Sequence, residues 1–386
     1  MKFTVPVQSI ISPLLQVAGI CTSNPSNPDD LSQFLLVEVK HDCVIFTGTD
    51  NAVQLQAVVP LAEGSCESEG VIMIDAHKAI DFFKTLGNED DLSLELVEDD
   101  DSIRITSSQA NYTMRVRQLT NDKTFPLFAV QEDGEPKIFK IEEQKLRYMF
   151  EKSTFCVSHD NYRDYLKGVR FEIKESDISL FALDGHRMAA LEAQLPEPVD
   201  GEINILMTFR GVAELQKLLS TSPEHILTMS VTNRFVSTKV GCYTLTNQLL
   251  NTKYPNVRSV IPKDCYPEIA VSLADLKTYV RRVSLFSNKR MNHINLTFTQ
   301  NKLDLFSQNS EHEVGKASLE IDFPDPEGFR EINLNADYLK DFLQAIDTTE
   351  VVFGFAPPYQ NTLLRPREEV NEMGVRLRYV VSHIMV

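Results

Sequence analysis

One segment of the sequence carries residue types that could take part in catalysis. Asp184, His186 and Arg187 lie within four positions of one another. A hydrolase could use such a carboxylate and imidazole for proton transfer, with the guanidinium stabilising negative charge. The Asp-Gly step also lies between two stretches of alternating apolar residues, where it is typical of a hairpin turn. We favour the hairpin turn and keep a hydrolase as the remote alternative.

Two other clusters could bind a metal ion. Glu98–Asp101 is a run of four carboxylates, and His41 lies two positions before Cys43. A metal site needs ligands that converge from separate elements, so we interpret the first as a charged hairpin tip and the second as a turn and a strand. The sequence contains no phosphate-binding glycine loop, dinucleotide fingerprint, zinc-protease motif or serine-hydrolase elbow. It therefore predicts a non-enzymatic protein without a metal or cofactor.

Composition places the chain among ordinary globular proteins. Its 386 residues are 42% apolar and 24% charged, with a net charge of −17. That length allows two to four domains. No apolar run approaches the roughly 18 residues of a membrane helix, and the first residues lack an apolar signal core. Six dispersed cysteines without a Cys-x-x-Cys pair favour reduced thiols. We expect a cytoplasmic protein with no membrane partner.

A repeat of about 65 residues organises the chain. An extended apolar stretch, a polar capping residue and a helical apolar pattern recur six times, with starts 63 to 67 residues apart. Asp75, Thr208 and Asn335 occupy the capping position, where their side chains can accept the free amide hydrogens of a first turn. The predicted helices are Val7–Ile20, Asp75–Leu86, Glu142–Val157, Thr208–Ser220, Ser272–Arg290 (with its following turn) and Asn335–Asp347.

Three strands are predicted after each helix, the first of them at Leu31–Lys40, because β-branched and aromatic residues alternate there between turn signals. A single unit is too small to bury its own sheet, so two units should form a domain. Polar linkers at Gln131–Pro136 and Pro262–Pro267 follow units two and four. We predict an α+β chain of three tandem domains, 1–130, 137–262 and 267–386, each with two helices against sheet.

When similar domains are joined head to tail, each domain is related to the next by the same rotation. Repeating that rotation produces either a closed ring or an open helical assembly. If each domain turns by about a sixth of a circle, a two-fold dimer closes a ring of about twelve helices. At roughly 10 Å per helix, the circumference is about 120 Å and the bore about 28 Å, enough for a nucleic-acid duplex. We therefore hypothesise that helices line a ring and that sheets lie outside.

The charge pattern favours the same arrangement. The six helical stretches carry net charges between −2 and +4, or +3 together, so the rest of the chain carries −20. Basic helices would attract phosphates to the bore without reading sequence. Ordinary solvated helix faces are the alternative, because three helices are neutral and the last is acidic. The candidate duplex-facing residues are Lys84, Lys145, Arg147, Lys152, Arg210, Lys217, Lys277, Arg281, Arg282, Lys289 and Arg290.

The segment F-A-L-D-G-H-R-M-A at Phe181–Ala189 resembles bacterial sliding clamps, the beta subunit of DNA polymerase III. Further similar segments are T-G-T-D at Thr47–Asp50, D-Y-L-K-G-V-R-F-E at Asp164–Glu172, K-Y-P-N-V-R-S-V-I-P-K at Lys253–Lys263 and the ending Y-V-V-S-H-I-M-V. The resemblance covers the whole chain. It implies a head-to-tail homodimeric ring of three domains per chain around double-stranded DNA. It also implies tethering of DNA polymerase and loading by an ATP-driven clamp loader.

The resemblance also implies a pocket for short partner peptides between the second and third domains and at the C-terminus. The matching residues are Leu166, Leu183, Gly185, His186, Arg187, Met188, Pro255, Val260, Asn335, Tyr338, Val380, Val381, Met385 and, at the end of the chain, Val386. Other pocket positions depart from the family pattern. Ser259 replaces an arginine and Met291 an aromatic residue. Ser382, His383 and Ile384 replace Met-Pro-Met, and Tyr359 and Asn361 replace smaller residues. We expect a pocket that prefers a different peptide.

The family's ring-closing surface maps to Leu285 and Phe286 on one side and to Tyr112 and Met114 on the other, with intradomain core as the alternative. The charged interface residues that remain are Lys78, Glu311 and Glu313. The expected arginine partners read Ser102, Gln109 and Asn111, so closure should rest on apolar contact and strand pairing.

The DNA-side loops match the family only in part. Arg163 and Tyr165 match, whereas Asn24 stands where arginine is common, and Asp160 and Asp164 add negative charge. Weaker DNA contact is therefore expected. A specialised clamp paralogue that serves a non-replicative polymerase or repair factor is the second interpretation, because the pocket is substituted.

Overall fold

Six α-helices follow the predicted period in the part of the chain that the structure describes. The computed structural model describes residues 1–22, 30–87, 91–97, 101–119, 124–158, 161–323 and 329–385. The helices are α1 (Val7–Ala18), α2 (Ala76–Phe83), α3 (Glu143–Glu151), α4 (Phe209–Leu218), α5 (Leu273–Val283) and α6 (Ala336–Ala345). They start 63 to 69 residues apart, which confirms the repeat.

The predicted capping residues begin their helices. The Asp75 carboxylate accepts the Lys78 amide hydrogen at 2.8 Å, and the Thr208 hydroxyl accepts that of Gly211 at 3.0 Å. Asn335 caps α6 by accepting the amide hydrogens of both Asp337 and Tyr338. These bonds satisfy donors that a helix leaves unpaired at its first turn.

The third helix is shorter than predicted. It ends at Glu151, and a 3₁₀ turn follows at Thr154–Cys156. The Ser153 hydroxyl donates to the Met149 carbonyl at 2.7 Å, and the Thr154 hydroxyl donates to that of Phe150 at 2.9 Å. Side-chain hydroxyls that bond to the last carbonyls compete with continuation of the helix.

The chain divides into two compact units. The first contains residues 1–138, 213–219 and 227–249, and the second contains residues 139–212, 220–226 and 250–386. Strands of the first unit are β1 (Lys2–Pro6), β2 (Phe34–Val39), β3 (Cys43–Thr49), β4 (Val53–Pro60), β5 (Cys66–Ser68), β6 (Gly70–Asp75), β7 (Asp91–Val97), β8 (Ser102–Thr106), β9 (Asn111–Arg117), β16 (Phe235–Val240) and β17 (Tyr243–Gln248).

Most remaining strands belong to the second unit, while β10 (Lys137–Glu142), β15 (Ile226–Val231) and α4 contain residues of both. Strands of the second unit are β11 (Gly168–Lys174), β12 (Asp177–Leu183), β13 (Arg187–Gln194), β14 (Glu202–Thr208), β18 (Glu268–Ser272), β19 (His293–Thr299), β20 (Lys302–Gln308), β21 (Val314–Glu320), β22 (Arg330–Asn335), β23 (Glu350–Phe355), β24 (Asn361–Pro366) and β25 (Arg376–Ser382).

One predicted strand starts late. Leu31–Lys40 was expected to be extended throughout, but Leu31–Gln33 forms a 3₁₀ turn and β2 begins at Phe34. The Asp30 carboxylate accepts the Ser32 amide hydrogen at 3.0 Å, which stabilises the turn. A local side-chain cap therefore outweighs the extended preference of the first three residues.

Neighbouring repeats complete each other's sheets. The leading strand β1 pairs with β7 of the second repeat, and β6 pairs with β2 of the first. The same exchange joins β14 to β11, β18 to β23 and β22 to β19. A repeat therefore lacks one strand of its own sheet, which explains why two are needed to form a domain.

The last strands of four repeats pair in a second pattern. Antiparallel β17 and β4 join residues of the predicted second and first domains, with Leu245 opposite Leu55. Antiparallel β13 and β25 join residues of the predicted second and third domains, with Met188 opposite Val380. Predicted domains are thus linked by continuous sheet.

Helices cover one face of these sheets. Helix α1 packs against α2, and α5 packs against α6. Buried side chains such as Leu14 and Phe83 form the core of the first unit, whereas Val280, Phe342 and Phe353 belong to that of the second. Among the described helices, none is both long and apolar enough to cross a membrane.

Candidate functional site

The Asp184–Arg187 segment is the turn of the β12–β13 hairpin. One oxygen of the Asp184 carboxylate accepts the amide hydrogens of His186 and Arg187 at 2.9 and 3.0 Å, and the other accepts from Arg187 Nε at 2.9 Å. Gly185 has φ +99°, a conformation that favours glycine. This geometry confirms the hairpin interpretation, because the carboxylate is occupied by the turn instead of the His186 ring.

The metal hypotheses receive no support from the described ranges. No group of three or more His, Cys, Asp or Glu side chains within them could hold a metal ion. Residues 98–100 of the acidic run lie outside the described residues. Its assignment as a hairpin tip therefore stays a prediction.

Arg187 joins the hairpin to helix α6. Its Nη1 donates to Asp341 at 2.7 Å and its Nη2 donates to the Phe155 carbonyl at 2.6 Å. The guanidinium carbon lies 4.3 Å from the centre of the Tyr338 ring. Burial acts to lower the pKa of Arg187, but the hydrogen-bonded Asp341 carboxylate and nearby groups, including Asp184, together outweigh burial and raise the pKa. The side chain is a charged crosslink between two elements.

An apolar cluster lies beneath this crosslink. Met188 and Val380 are buried and face each other across β13 and β25. They pack with Phe181, Val257 and Leu363, and Leu183 contacts the edge of the cluster. Val381 and Leu166 are also buried, whereas Pro255 is exposed. Met188 of β13 and Val380 of the last strand therefore belong to one apolar floor, formed with Phe181, Val257 and Leu363.

The C-terminal segment is tied to the same region. The Ser382 amide donates to the His186 carbonyl at 2.9 Å, and the Ile384 amide donates to that of Asn333 at 2.8 Å. The His186 ring stacks on Tyr338 with centroids 6.4 Å apart. Helix α6, the hairpin and the C-terminal residues thus meet in one place within the second unit.

His383 connects the C-terminal segment to the loop after β23. Its Nε2 lies 2.7 Å from the Thr362 hydroxyl, and its amide donates to the Gln360 carbonyl at 3.0 Å. Burial lowers the pKa of His383, and a hydrogen bond to the Tyr359 backbone opposes this in part. The neutral ring therefore holds the loop that carries Tyr359.

A cavity of about 540 Å³ places Ser259, Val260 and Asn361 together. Tyr359 and Met291 are exposed at 44% and 41%, and Met385 at 91%. Asn335 lies at the α6 cap, as described above. Val386 lies outside the described residues.

The predicted ring-closing residues divide by exposure. Leu285 is 79% exposed and Tyr112 is 41% exposed, whereas Met114 is buried, as the core interpretation expects. Phe286 packs against β21, where a Cβ at Gly315 would lie only 2.7 Å from the Phe286 ring. The Tyr112 ring contacts Phe82 of α2. Leu285 and Tyr112 therefore leave apolar surface uncovered on the single chain.

Charged residues of the predicted interface are at the surface. Lys78, Glu311 and Glu313 are exposed. Glu313 accepts a hydrogen bond from the Asn309 side chain at 2.6 Å. Ser102 stands where an arginine partner was expected, and it is buried.

The candidate DNA-facing residues have different environments. Exposed members are Lys84, Arg163, Arg210, Lys217, Arg281, Arg282, Lys289 and Arg290. Arg147 bonds to Glu151 at 3.1 Å and Lys277 donates to the Ile346 carbonyl at 3.4 Å. Lys145 bonds to Glu142 and to the Gln194 carbonyl. Lys152 is 7% exposed and its amine bonds to Asp347 at 2.8 Å. Lys145 and Lys152 are therefore bonded to other groups of the protein.

Two predicted loop contacts lie together before β11. Arg163 donates to the Tyr165 hydroxyl at 3.3 Å and to that of Tyr162 at 2.8 Å. Asp164 is paired with Lys167 at 2.9 Å. Asn24 and Asp160 lie outside the described residues.

Comparison with known families accounts for the repeated fold. Three family models of the DNA polymerase III beta subunit match in succession: the N-terminal domain at residues 1–123, the central domain at 140–256 and the C-terminal domain at 258–378. The chain belongs to the DNA polymerase III beta subunit family. It is a sliding clamp by sequence and by fold.

Individual relatives agree with this assignment. The beta sliding clamp of Vibrio cholerae is 28% identical over 377 residues, which cover 97% of this chain and 98% of that protein. That of Proteus mirabilis is 25% identical over 352 residues, covering 91% and 92%. The crystal structure of the DNA polymerase III subunit beta from Pseudomonas aeruginosa has a TM-score of 0.89 and 24% identity over the full length of both chains. Its likeness shows the same fold.

Sequence reasoning missed the partners of Arg187. Asp341 and Phe155 were not predicted, yet they fix the guanidinium. One signal was available, because Asp341 lies three positions after Tyr338 and so shares its face of α6. Arg258 was also missed. It donates to Glu172, Glu192 and Ser179 on three adjacent strands.

Proposed function

We propose that this sliding clamp closes as a head-to-tail homodimeric ring around double-stranded DNA. Without catalysing a reaction, it would hold DNA polymerase and clamp-loader subunits through short peptides. The proposal keeps three domains, at 1–130, 137–262 and 267–386, with helices toward the DNA and a cytoplasmic location. Pairing of the last strands of the repeats is the observation that carries it.

The pairing pattern predicts where a second copy attaches. Strand β4 pairs with β17, and β13 pairs with β25, so each odd-numbered repeat meets an even-numbered repeat of the next domain. The remaining last strands are β21 and β9. Within the described residues, β21 is at the end of its sheet, and β9 pairs with β6 only at Val116 and Arg117. Continuing the pattern joins β21 of one copy to β9 of another.

Exposed apolar residues support the same contact. Leu285 lies in the Ser284–Phe286 turn, which contacts β21, and Tyr112 lies on the part of β9 that does not pair with β6. Unpaired strand edges present backbone donors and acceptors that another strand can satisfy. Two such contacts related by two-fold symmetry close a dimer.

The DNA-facing surface is proposed for the exposed cations of the helices. Helix α5 and its following turn carry Arg281, Arg282, Lys289 and Arg290, all exposed. Phosphate contacts of this kind hold a duplex without sequence preference. The whole predicted set remains part of the proposal. Lys145 and Lys152 would contribute positive electrostatic potential from within the protein and would not contact the DNA directly.

The peptide pocket is proposed for the apolar floor below the Arg187 crosslink. Its walls come from the hairpin, helix α6 and the C-terminal segment. Apolar clefts with few polar groups are typical of sites for extended peptides. Truncation after Ile384 should weaken peptide binding and leave the dimer intact. Unchanged peptide affinity would remove Met385 and Val386 from the site.

A specialised clamp paralogue is the second candidate, and the substituted pocket favours it. Ser259 leaves one wall without a long cation, and Tyr359 adds an exposed ring. Affinity for peptides of replicative polymerases equal to that of an ordinary clamp would count against specialisation. The hydrolase alternative has no geometric support, because the Asp184 carboxylate is bonded within its own turn.

Retention on DNA tests the ring directly. The protein should have the mass of a dimer by light scattering. Once loaded, it should stay on nicked circular DNA at high salt and leave when the circle is cut, because threading does not depend on phosphate attraction. A monomeric mass, or equal retention on circular and linear DNA, would contradict the proposal.

A further inference from the structure

Lys263 follows the pocket residues Ser259 and Val260 and lies at the junction of two cavities. The cavity of about 540 Å³ is lined on one side by residues 259–263 and on the other by residues 356–358, 360 and 361. A second cavity of about 340 Å³ shares Ser259, Ile261 and Lys263 with it. Both cavities therefore adjoin the proposed peptide site.

The charges that line these cavities are of one sign. Among the residues that line the larger cavity, Lys263 is the charged one. The smaller cavity is lined by Lys263 together with Arg258 and Arg378. No acidic residue lines either cavity. This is unusual for a chain with a net charge of −17. A cation-lined hollow attracts a negatively charged group.

The two arginines and the lysine differ in how far they are already paired. Arg258 and Arg378 share the Glu192 carboxylate, at 3.1 and 2.6 Å. Arg378 Nε is buried without a hydrogen-bond partner within the described structure. Lys263 is exposed and has no ion pair with a described residue. Its charge is available to a ligand.

A third cavity also borders Lys263, and carboxylates are present there. In that cavity Glu268 bonds to Arg365 at 2.7 Å and Glu369 lies 3.5 Å from Arg376. Each of these two carboxylates is therefore paired with an arginine. Asp264 lines only this third cavity among the three. Glu268 and Glu369 are therefore paired with arginines, and Asp264 lines neither of the two cavities beside Ser259.

We propose that Lys263 selects partner peptides with an aspartate or glutamate, whose carboxylate lies beside Ser259 against the Lys263 ammonium. The occupant is an acidic side chain of the peptide that fills the proposed pocket, so the inference rests on the proposed function. The small Ser259 side chain leaves room for that carboxylate. Arg258 and Arg378 are already paired with Glu192, so Lys263 supplies the positive charge that is not yet compensated.

Peptide binding with matched charge changes tests this selection. The probes are fluorescein-labelled hexapeptides made of apolar residues that suit the apolar floor, with Asp, Asn or Lys at one position. For the position that faces Lys263, the wild type should bind the Asp peptide about three- to tenfold more tightly than the Asn peptide at low salt. The difference should shrink at about 0.5 M salt.

Variants assign the effect to the lysine. Lys263→Met should abolish the Asp preference, and Lys263→Glu should reverse it in favour of the Lys peptide. Lys239→Glu makes the same charge change on an exposed residue of the first unit and should preserve the Asp preference. Thermal unfolding of each variant should match the wild type, because both lysines are exposed.

The possible failures are distinguishable. If the wild type binds none of the peptides, both the pocket and this inference are overturned. If peptides bind with an Asp-to-Asn ratio that Lys263→Glu leaves unchanged, the pocket stands and the inference is overturned. If inorganic phosphate displaces the Asp peptide more strongly than sodium chloride of equal ionic strength, the assignment to a peptide side chain is overturned in favour of a free-anion site.

Discussion

Arg187 should contribute more to stability than the surface ion pairs of the same unit. Its side chain is largely buried between Asp184 and Asp341, and it donates to both. Arg187→Ala leaves two carboxylates without their cation and should lower the free energy of unfolding by about 3 kcal/mol. The stability of Arg187→Lys should lie between that of the wild type and that of Arg187→Ala, because one ammonium cannot satisfy three separated acceptors. Urea denaturation followed by circular dichroism measures the difference.

A surface pair in the second unit provides the control for this prediction. Arg367 bonds to Glu350, and the arginine side chain is 63% exposed. Exposed pairs contribute about 0–1 kcal/mol, so Arg367→Ala should change little. Equal losses for the two alanine variants would show that the crosslink of Arg187 has no special weight.

The loop between β23 and β24 should respond to pH through His383. Burial lowers the pKa of this imidazole in the folded chain, below about 6.5 for an exposed histidine. The folded state therefore binds fewer protons than the unfolded state between these two pKa values. The stabilising contribution of His383 is complete above about pH 6.5. It is lost as the pH falls from there toward the pKa of His383 in the folded state.

The comparison of variants isolates that contribution. Between pH 7.5 and 5, stability of the wild type should fall more steeply than that of His383→Gln, which cannot be protonated. His312→Gln removes an exposed histidine and should follow the wild type. Denaturation midpoints measured across the pH series give the three curves. Parallel curves for the wild type and His383→Gln would contradict the assigned role.

At the scale of elements, the helices and hairpins were predictable because their signals are local. A capping residue such as Asp75 and the alternation of β12 act on residues within one turn or one strand. The pairing of β17 with β4 was not predictable, because either strand could pair equally well on sequence pattern alone. Strand order depends on which edges remain free after folding, and no local signal encodes it.

The candidate site was predictable to the same limited extent. The hairpin at Asp184 followed from its Asp-Gly turn, and the pocket residues followed from family resemblance. The Arg187–Asp341 bond joins positions 154 apart, and neither residue alone indicates the other. Cavities beside Lys263 depend on the joint placement of two loops. Side-chain partners that are far apart in the sequence are therefore determined by the tertiary fold and not by any local pattern.

At the scale of the whole molecule, loss of apolar contact at one surface should convert dimers into monomers. Leu285→Ala with Phe286→Ala removes the exposed leucine and the ring that packs on β21. Burial contributes about 25 cal/mol for each Å² of apolar area, and closure would bury this surface twice in a symmetric ring. Light scattering should give the mass of one chain at concentrations where the wild type is dimeric.

The matched control removes exposed apolar groups elsewhere in the second unit. Val370→Ala with Tyr266→Ala changes residues that are 46% and 62% exposed. Their backbones bond to β25 and β23, which belong to a different sheet from β21. This variant should remain a dimer and should stay on circular DNA, whereas the Leu285/Phe286 variant should dissociate from circles as readily as from linear DNA. Because that variant keeps the cations of α5, its release would show that retention depends on a closed ring and not on attraction to phosphate. A dimeric mass for the Leu285/Phe286 variant would place the contact between copies on another surface.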